Sequence, residues 1–222
     1  MEVVVQAGQV QLPGTVGQPV EPRGCVVFAH GSGSSRHSPR NVWVAQTLHT
    51  RGFATLLFDL LTAEESDLDA RSRTLRFDVP LLAARLTSAV DAVRQLPATR
   101  GLPIGLFGAS TGAAAALTVA ARRPEAVDAV VSRGGRPDLT GDALRAVQAP
   151  TLLIVGSRDG AVLRLNRDAA AQLAGPQQVE VVAGASHLFE EPGTLAEVAR
   201  LAGDWFASHL TAAAPDDRGA SS

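Results

Sequence analysis

The sequence predicts an α/β fold in which a mostly parallel sheet of about seven or eight strands carries helices on both faces. Short apolar runs alternate along the chain with segments whose apolar residues recur at helical spacing, and such alternation implies right-handed crossovers between parallel strands. With 222 residues, of which 45% are hydrophobic, the chain is long enough for one well-buried core. We therefore expect a single domain over residues 1–210, followed by a tail at 211–222 whose composition is typical of disorder.

Short apolar runs are the predicted strands. The first two, residues 3–5 and 9–12, are separated by Ala7-Gly8 and followed by the turn signal Pro13-Gly14, so they predict an antiparallel hairpin at the sheet edge. The run at 25–29 is wholly apolar, as in a strand buried in the middle of a sheet. The other predicted strands are residues 54–60, 104–107, 126–131, 151–155 and 179–182.

Helical periodicity is clearest at residues 82–96, where apolar residues recur at spacings of four and three. The other predicted helices are residues 39–51, 113–121, 163–173 and 195–209. Residues 132–141 are predicted to be a loop. The polar stretch at 62–76 is the one segment that could form a small lid, and it is too short to build a large cap domain.

The composition argues against several classes of partner. The formal net charge is −2 and the pI is near 6.2, whereas nucleic acids and anionic membranes favour a concentrated basic surface. The first residues carry an acid, Glu2, unlike a secretory signal, and no uncharged apolar run of about 18 residues predicts a membrane span. The lone Cys25 cannot form an internal disulfide and is predicted to be a small core residue. We therefore expect a cytoplasmic protein with no nucleic-acid or membrane partner.

One sequence motif predicts a catalytic residue. Gly108-Ala109-Ser110-Thr111-Gly112 follows the apolar run at 104–107 and opens the Ala-rich helix at 113–121. A G-x-S-x-G sequence between a strand and a helix is typical of a nucleophile elbow, in which the serine is strained and its neighbours two residues away must lack side chains. The turn would place Ser110 at the carboxyl edge of the sheet, at a helix N-terminus whose free N–H groups suit a developing negative charge.

A serine nucleophile needs a base and a group that orients the base. His187 follows the last predicted strand and Asp159 follows the preceding one, so both would share the carboxyl edge with Ser110. The chain order Ser, Asp, His is that of an elbow-type triad. Asp168 and Asp204 are competing acids, although Asp168 falls inside a predicted helix and Asp204 follows His187. His187 itself could instead cap a helix or lie on the surface.

With these stretches in place, the chain resembles an α/β-hydrolase and is similar to the dienelactone-hydrolase-like branch over about residues 20–210. The motifs that carry the resemblance are His30-Gly31-Ser32-Gly33-Ser34-Ser35, Gly108-Ala109-Ser110-Thr111-Gly112, Gly156-Ser157-Arg158-Asp159 and Ser186-His187.

The resemblance implies a role for each matching residue. Ser110 would be the nucleophile, His187 the general base and acid, and Asp159 the carboxylate that orients the histidine. The backbone N–H groups of Ser32 and Thr111 would form the oxyanion hole. No metal or organic cofactor is implied. Dienelactone hydrolases proper resemble this pattern with a cysteine nucleophile, and the serine found here favours a general carboxylesterase.

Several neighbouring residues have two interpretations. Arg36, Arg133 and Arg136 fit solvated charges or ion pairs with Asp138 and Glu64. The sharper hypothesis is that Arg36 or Arg133 binds an acidic group of the substrate through a bidentate hydrogen bond.

Two aromatic residues and one glycine near the triad are also ambiguous. Phe189 is a candidate for lining the acyl or alcohol pocket, or else a core residue. His30 is interpreted as a structural anchor of its loop, and Gly33 competes with Ser32 for the second oxyanion-hole position.

The leading hypothesis is a serine hydrolase that cleaves carboxylic esters or lactones of small molecules through an acyl-enzyme. An acyltransferase would use the same triad and pass the acyl group to an alcohol or amine. A third hypothesis is a non-catalytic binding protein, because the fold alone does not imply catalysis. We expect a small-molecule substrate and a monomer or weak homodimer.

Overall fold

The structure, a computed structural model, describes residues 1–211, in which eight strands form one sheet. The strands are β1 (Glu2–Ala7), β2 (Val10–Gly17), β3 (Gly24–Ala29), β4 (Phe53–Phe58), β5 (Ile104–Ala109), β6 (Ala129–Arg133), β7 (Thr151–Gly156) and β8 (Gln177–Val182). The predicted disordered tail at 211–222 lies, apart from Thr211, outside the described residues.

The strands follow the order β1-β2-β4-β3-β5-β6-β7-β8 across the sheet. β1 pairs antiparallel with β2, and β2 pairs antiparallel with β4, while the remaining neighbours are parallel. The predicted mostly parallel sheet with an antiparallel N-terminal edge is confirmed. Because β3 and β5 to β8 run in the same direction, the loops that follow them meet at one edge of the sheet.

Helices alternate with the strands along the chain, and some of them begin at recognisable sequence signals. They are α1 (Pro39–Thr50), α2 (Ala63–Ser72), α3 (Val79–Gln95), α4 (Thr111–Arg122), α5 (Gly160–Ala170) and α6 (Thr194–His209). Ser38 caps α1, with Pro39 in its first turn, and Thr62 and Glu65 form a capping box at the start of α2. The stretch proposed as a small lid is therefore α2 followed by a short 3₁₀ turn, Leu75–Phe77.

The prediction of a loop at 132–141 was wrong at both ends. β6 continues to Arg133, and a 3₁₀ segment, Pro137–Ala146, occupies the second half. Proline fixes its φ near the helical value and so favours the start of the segment at Pro137.

Alternation along the central strands divides the core between the two faces of the sheet. One face contains Val27, Leu86, Leu106 and Leu117. The other face contains Phe28, Leu48, Phe107 and Phe206, with the rings of Phe28 and Phe107 4.8 Å apart. Cys25 is fully buried, as predicted, and burial raises the pKa of its thiol to about 12. None of the helices within residues 1–211 combines the length and apolar character that crossing a membrane requires.

Candidate active site

Ser110 occupies a strained turn between β5 and α4. Its backbone angles, φ 51° and ψ −118°, lie in a region that residues with a side chain rarely adopt. Three backbone hydrogen bonds hold it there. The Ser110 N–H donates to the Arg133 carbonyl at 3.2 Å, and the N–H groups of Arg136 and Ala113 both donate to the Ser110 carbonyl at 3.1 Å. The elbow geometry predicted from the G-x-S-x-G motif is thus present.

The two glycines of the motif are required by close backbone contacts. A Cβ atom at Gly108 would lie 2.7 Å from the Ala113 nitrogen, and one at Gly112 would lie 2.6 Å from the His30 carbonyl oxygen. A third glycine serves the facing loop, because a Cβ at Gly31 would lie 3.1 Å from the Cβ of Ser110. Without side chains at these positions, α4 can start close to β5 and the loop after β3 can approach the serine.

His187 and Asp159 form a hydrogen-bonded pair at the same edge of the sheet. The distance from His187 Nδ1 to Asp159 Oδ2 is 2.6 Å. Because the carboxylate can only accept, Nδ1 carries the proton and Nε2 is the ring nitrogen left to act as a base. Backbone hydrogen bonds join their two loops, from the Arg158 N–H to the Ala185 carbonyl at 2.9 Å and from Ser157 to Val182 at 3.0 Å.

A cavity of about 220 Å³ brings the serine and the histidine together. Its lining is Gly31, Ser32, Ser34, Ser38, Arg40, Ala109, Ser110, Arg133, His187 and Leu188. The structure therefore unites Ser110, His187 and, through its hydrogen bond, Asp159. The competing acid Asp168 lies exposed on α5. The other competing acid, Asp204, lies on α6 and forms ion pairs with Arg51, at the end of α1, and with Arg200.

The two predicted oxyanion-hole residues, Ser32 and Thr111, contact each other through their side chains. The hydroxyl groups of Ser32 and Thr111 are 3.0 Å apart. Thr111 is the first residue of α4, so its backbone N–H lacks an acceptor in the preceding turn. Among the backbone hydrogen bonds of turns, loops and helix caps within residues 1–211, none is donated by the N–H of Thr111 or by that of Ser32. Both groups can therefore donate to a ligand oxygen.

A larger cavity of about 460 Å³ continues from the same loop toward α2. It shares Gly31, Ser32, Ser34 and Ser38 with the smaller one, and it also contacts Thr111. Asp69 and Arg76 form its far wall, joined by a 2.6 Å ion pair. The two cavities together give a small molecule room on both sides of the loop after β3.

Two of the predicted substrate-binding residues, Phe189 and Arg36, do not line the cavity with Ser110, and neither does Arg136. Phe189 is only 1% exposed and belongs to the core, and the neighbouring Leu188 lines the cavity instead. The Arg36 backbone N–H and guanidinium both bind the Asp59 carboxylate, the first at 2.7 Å. Arg136 binds Asp138 with two hydrogen bonds of 2.8 and 2.7 Å, as the ion-pair interpretation expected.

Arg133 is the one predicted arginine that lines the cavity with Ser110 and His187. It is 8% exposed, and its Nε and Nη1 atoms are buried with no hydrogen-bond partner among the described residues. Burial and the neighbouring Arg40 lower the pKa of Arg133 to about 10. Arg40, in the first turn of α1, also lines this cavity and was not among the predicted site residues.

His30 anchors the loop that carries Ser32, as predicted. Its Nε2 accepts the Leu60 N–H at 3.0 Å, and its Nδ1 donates to the Gly31 carbonyl at 3.0 Å. Burial lowers the pKa of His30, and the Gly31 carbonyl and Asp59 offset part of that effect. The ring is therefore neutral and ties the loop after β3 to the end of β4.

Comparison with known proteins agrees with this fold. The chain matches the family described as alpha/beta hydrolase domain over residues 22–198. A solved dienelactone hydrolase from Anabaena variabilis is 55% identical, with a TM-score of 0.92 over 95% of this chain and 97% of that one. The chain therefore belongs to the α/β-hydrolase family and resembles its dienelactone-hydrolase-like members.

Two further relatives extend the comparison. A Mycobacterium tuberculosis protein named "Putative phosphoribosyl transferase" is 58% identical over 214 residues, which are 96% of this chain and 47% of that protein. The chain thus spans about half the length of the curated relatives it matches. Est1E from Butyrivibrio proteoclasticus, solved with ferulic acid bound, has a TM-score of 0.80 over 94% of this chain and 99% of its own, at 15% identity, and shows the fold alone.

Proposed function

We propose that this protein is a serine hydrolase that cleaves carboxylic esters or lactones of small molecules through an acyl-enzyme at Ser110. One observation carries the proposal. The 2.6 Å hydrogen bond between His187 and Asp159 leaves Nε2 of His187 as the available base, and this histidine lines one cavity with a serine in a strained elbow. Such a base, its orienting carboxylate and a serine at a helix N-terminus are the parts that acyl transfer requires.

In the proposed acylation step, Ser110 Oγ attacks the ester carbonyl while His187 Nε2 takes its proton. The carbonyl oxygen becomes an oxyanion, which the backbone N–H groups of Ser32 and Thr111 stabilise. His187 then gives the proton to the departing alkoxide, and the C–O bond of the ester breaks. Asp159 stays ionised throughout and stabilises the imidazolium that forms between the two proton transfers.

In deacylation, His187 removes a proton from a water molecule, whose oxygen attacks the acyl-enzyme carbonyl. The same two N–H groups stabilise the second oxyanion. The bond to Ser110 Oγ breaks, the serine regains its proton from His187, and the carboxylic acid leaves. A lactone reacts through the same two steps, except that its alcohol and its acid remain parts of one molecule.

The size of the site supports a small substrate. The cavities of about 220 and 460 Å³ meet at the loop that carries Ser32, and pockets of this order hold small organic molecules. The Mycobacterium relatives that carry a phosphoribosyl transferase name are about twice as long as this chain. The geometry of Ser110, His187 and Asp159 favours acyl transfer. We therefore do not extend phosphoribosyl chemistry to this chain.

Covalent labelling tests the proposal. A fluorophosphonate probe should label the native protein at Ser110, and labelling should disappear in Ser110→Ala and slow sharply in His187→Ala. Ser132→Ala, at a buried serine in the neighbouring strand, provides the control and should label normally. A native protein that resists the probe would contradict a catalytic role.

Hydrolysis and acyl transfer are separated by the products. A graded panel of p-nitrophenyl esters and lactones should yield free acid in water. Adding an alcohol or amine should leave the acid as the main product if the enzyme is a hydrolase. A main product that carries the added nucleophile would instead establish an acyltransferase.

A further inference from the structure

Asn166 is a buried polar side chain near the middle of α5. It is 0% exposed, and its Nδ2 donates to the Gly135 carbonyl at 2.9 Å and to the Val162 carbonyl at 2.8 Å. Because carbonyl oxygens only accept, the amide must turn its NH₂ group toward them, and its Oδ1 is left buried without a hydrogen-bond partner within residues 1–211. Such an acceptor destabilises the folded state, so the bond to Gly135 needs an explanation other than stability.

Gly135 lies in the loop that joins β6 to the following 3₁₀ segment (residues 134–136, the β6 loop). This loop brackets the strained turn of Ser110. The Ser110 N–H donates to the carbonyl of Arg133, the last residue of β6, at 3.2 Å, and the Arg136 N–H donates to the Ser110 carbonyl at 3.1 Å. A displacement of the β6 loop would therefore move the backbone of the proposed nucleophile.

The same loop supports the ring of His187. A Cβ atom at Gly134 would lie 3.5 Å from both Nδ1 and Cε1 of His187, so the loop backbone lies directly against the imidazole. Gly134 has a φ of 52°, and a Cβ at Gly135 would lie 2.7 Å from a side-chain atom of α4, so both positions require glycine. Because two adjacent glycines have little intrinsic stiffness, their conformation depends on outside hydrogen bonds, from the Gly134 N–H to the Ile154 carbonyl at 2.8 Å and from Asn166 to the Gly135 carbonyl.

Helix α5 also carries the proposed orienting acid. Asp159 immediately precedes the first residue of α5, and Asn166 follows it by about two helical turns, so both side chains lie on the same side of the helix. Asp159 Oδ2 binds His187 Nδ1 at 2.6 Å, and Asn166 holds the loop that supports the same ring. One helix therefore constrains His187 from two directions.

We propose that Asn166 is a positioning residue: its bond to Gly135 keeps the β6 loop against His187 and the Ser110 turn, and so sets the distance over which His187 takes the serine proton. This inference rests on the proposed function. A general base acts only within hydrogen-bond reach of the proton it removes, and small misplacements of reacting groups slow a reaction strongly. Asn166 lines neither of the two cavities described above, so its contribution is to kcat rather than to KM.

Replacing Asn166 by serine removes the bond to Gly135 and can keep the one to Val162. A serine has a single hydroxyl hydrogen, and in a helix it donates to the carbonyl four residues earlier, here that of Val162. In steady-state hydrolysis of p-nitrophenyl acetate, Asn166→Ser should lower kcat about tenfold and leave KM within about twofold of the wild-type value. A higher KM with unchanged kcat would overturn the positioning role.

Gly134→Ala disturbs the same ring directly and keeps the test open if Asn166→Ser fails to fold. The new Cβ would contact the His187 ring at 3.5 Å, and the positive φ of 52° is strained for alanine, so the loop should shift. We expect kcat to fall about tenfold, again with little change in KM. Because both substitutions act through one loop, the double variant should lose less than the product of the single losses. Losses that multiply fully would contradict a shared route.

Thr151→Val is the matched control for a lost buried hydrogen bond. The Thr151 hydroxyl, buried at the end of β7 opposite to Asp159, donates to the Ala149 carbonyl at 2.9 Å. Its loss should reduce resistance to urea and leave kcat near the wild-type value. Asn166→Ser should be labelled by a fluorophosphonate to the same final extent as the wild type, at a rate about tenfold lower. A reduced final extent at the wild-type rate would show that Asn166 serves folding alone.

NMR signals of the His187 ring give a readout that needs no activity. They should shift in Asn166→Ser and in Gly134→Ala, and stay in place in Thr151→Val. Signals that do not move in Asn166→Ser, or a wild-type kcat in that variant, would overturn the positioning role while the proposed hydrolase stands. A wild-type protein that neither labels nor turns over would instead overturn the proposed function, and the ring signals would still decide whether Asn166 holds the β6 loop against His187.

Discussion

The hydroxyl groups of Ser32 and Thr111 lie 3.0 Å apart, so a single hydrogen bond joins the loop after β3 to the first turn of α4. The same two residues supply the proposed oxyanion-hole N–H groups. Because the donors come from distant parts of the chain, their spacing depends on how these loops are held together. This bond, His30 and the glycine contacts around Ser110 are the features that hold them.

Removing the hydrogen bond between the hydroxyl groups of Ser32 and Thr111 should slow catalysis more than it weakens substrate binding. Thr111→Val keeps the shape of the side chain and deletes the hydroxyl, so the N–H groups lose a fixed spacing that matters mainly in the transition state. We expect kcat to fall about tenfold, with KM within about twofold, in steady-state hydrolysis of a p-nitrophenyl ester.

Thr118→Val is the matched control for this prediction. Thr118 lies on the same helix, and its hydroxyl donates to the Ala114 carbonyl at 2.8 Å, away from the cavities. Its kcat should remain near the wild-type value. Adding Ser32→Ala to Thr111→Val should cause little further loss, since the shared bond is already absent. Strictly additive losses would show that the two hydroxyls act independently.

Replacing Asp159 by Asn should damage catalysis without changing the size of the side chain. The amide cannot orient the neutral imidazole correctly or stabilise its protonated form, so kcat should fall by about 10²- to 10⁴-fold. The rate of fluorophosphonate labelling should fall in parallel. Asp168→Asn, at the exposed competing acid of α5, should label and turn over normally, and a larger effect there than at Asp159 would reverse the assignment of the orienting acid.

Local patterns predicted the parts of the site that depend on local structure. The elbow follows from two glycines around Ser110, since their close contacts are with sequence neighbours or with the adjoining strand. The positions of Asp159 and His187 follow from strand order, because loops after parallel strands meet at one edge. Their hydrogen bond of 2.6 Å agrees with that reasoning.

The surroundings of the site depend on tertiary contacts that periodicity does not encode. Arg36 binds Asp59, at the end of a strand 23 residues away, rather than the Glu64 considered from the sequence. Phe189 belongs to the core, and its backbone takes a positive φ of 55°, which no residue-type preference indicates. Arg40, in the first turn of α1, lines the cavity together with Arg133 at the end of β6.

The elbow glycine Gly112 should be essential for stability. A Cβ there would lie 2.6 Å from the His30 carbonyl oxygen, and backbone atoms cannot move aside as a flexible side chain can. Gly112→Ala should therefore lower the free energy of unfolding by about 2 kcal/mol or more in urea denaturation. Gly160→Ala is the control, because its nearest atom is the end of the Arg164 side chain at 3.9 Å and alanine favours the helix. Equal losses at the two positions would contradict a steric origin.

Acidification should destabilise the protein through His30. The ring accepts the Leu60 N–H at 3.0 Å and is buried, which lowers its pKa below the ordinary 6.5. The unfolded chain therefore binds a proton at a higher pH than the folded chain does. Stability is complete above about pH 6.5 and is lost as pH falls toward the folded-state pKa, with a slope of at most about 1.4 kcal/mol per pH unit from this group.

Urea denaturation between about pH 7 and pH 5 measures this slope. His30→Gln keeps an acceptor near the Leu60 N–H but cannot titrate, so the slope should become shallower even if stability at neutral pH is lower. His49, whose pKa is also lowered by burial, contributes in the same direction, and His30→Gln with His49→Gln should show the flattest profile. If His30→Gln retained the full wild-type slope, the acid sensitivity would have to come from other groups, and the anchor of the Ser32 loop would not be its source.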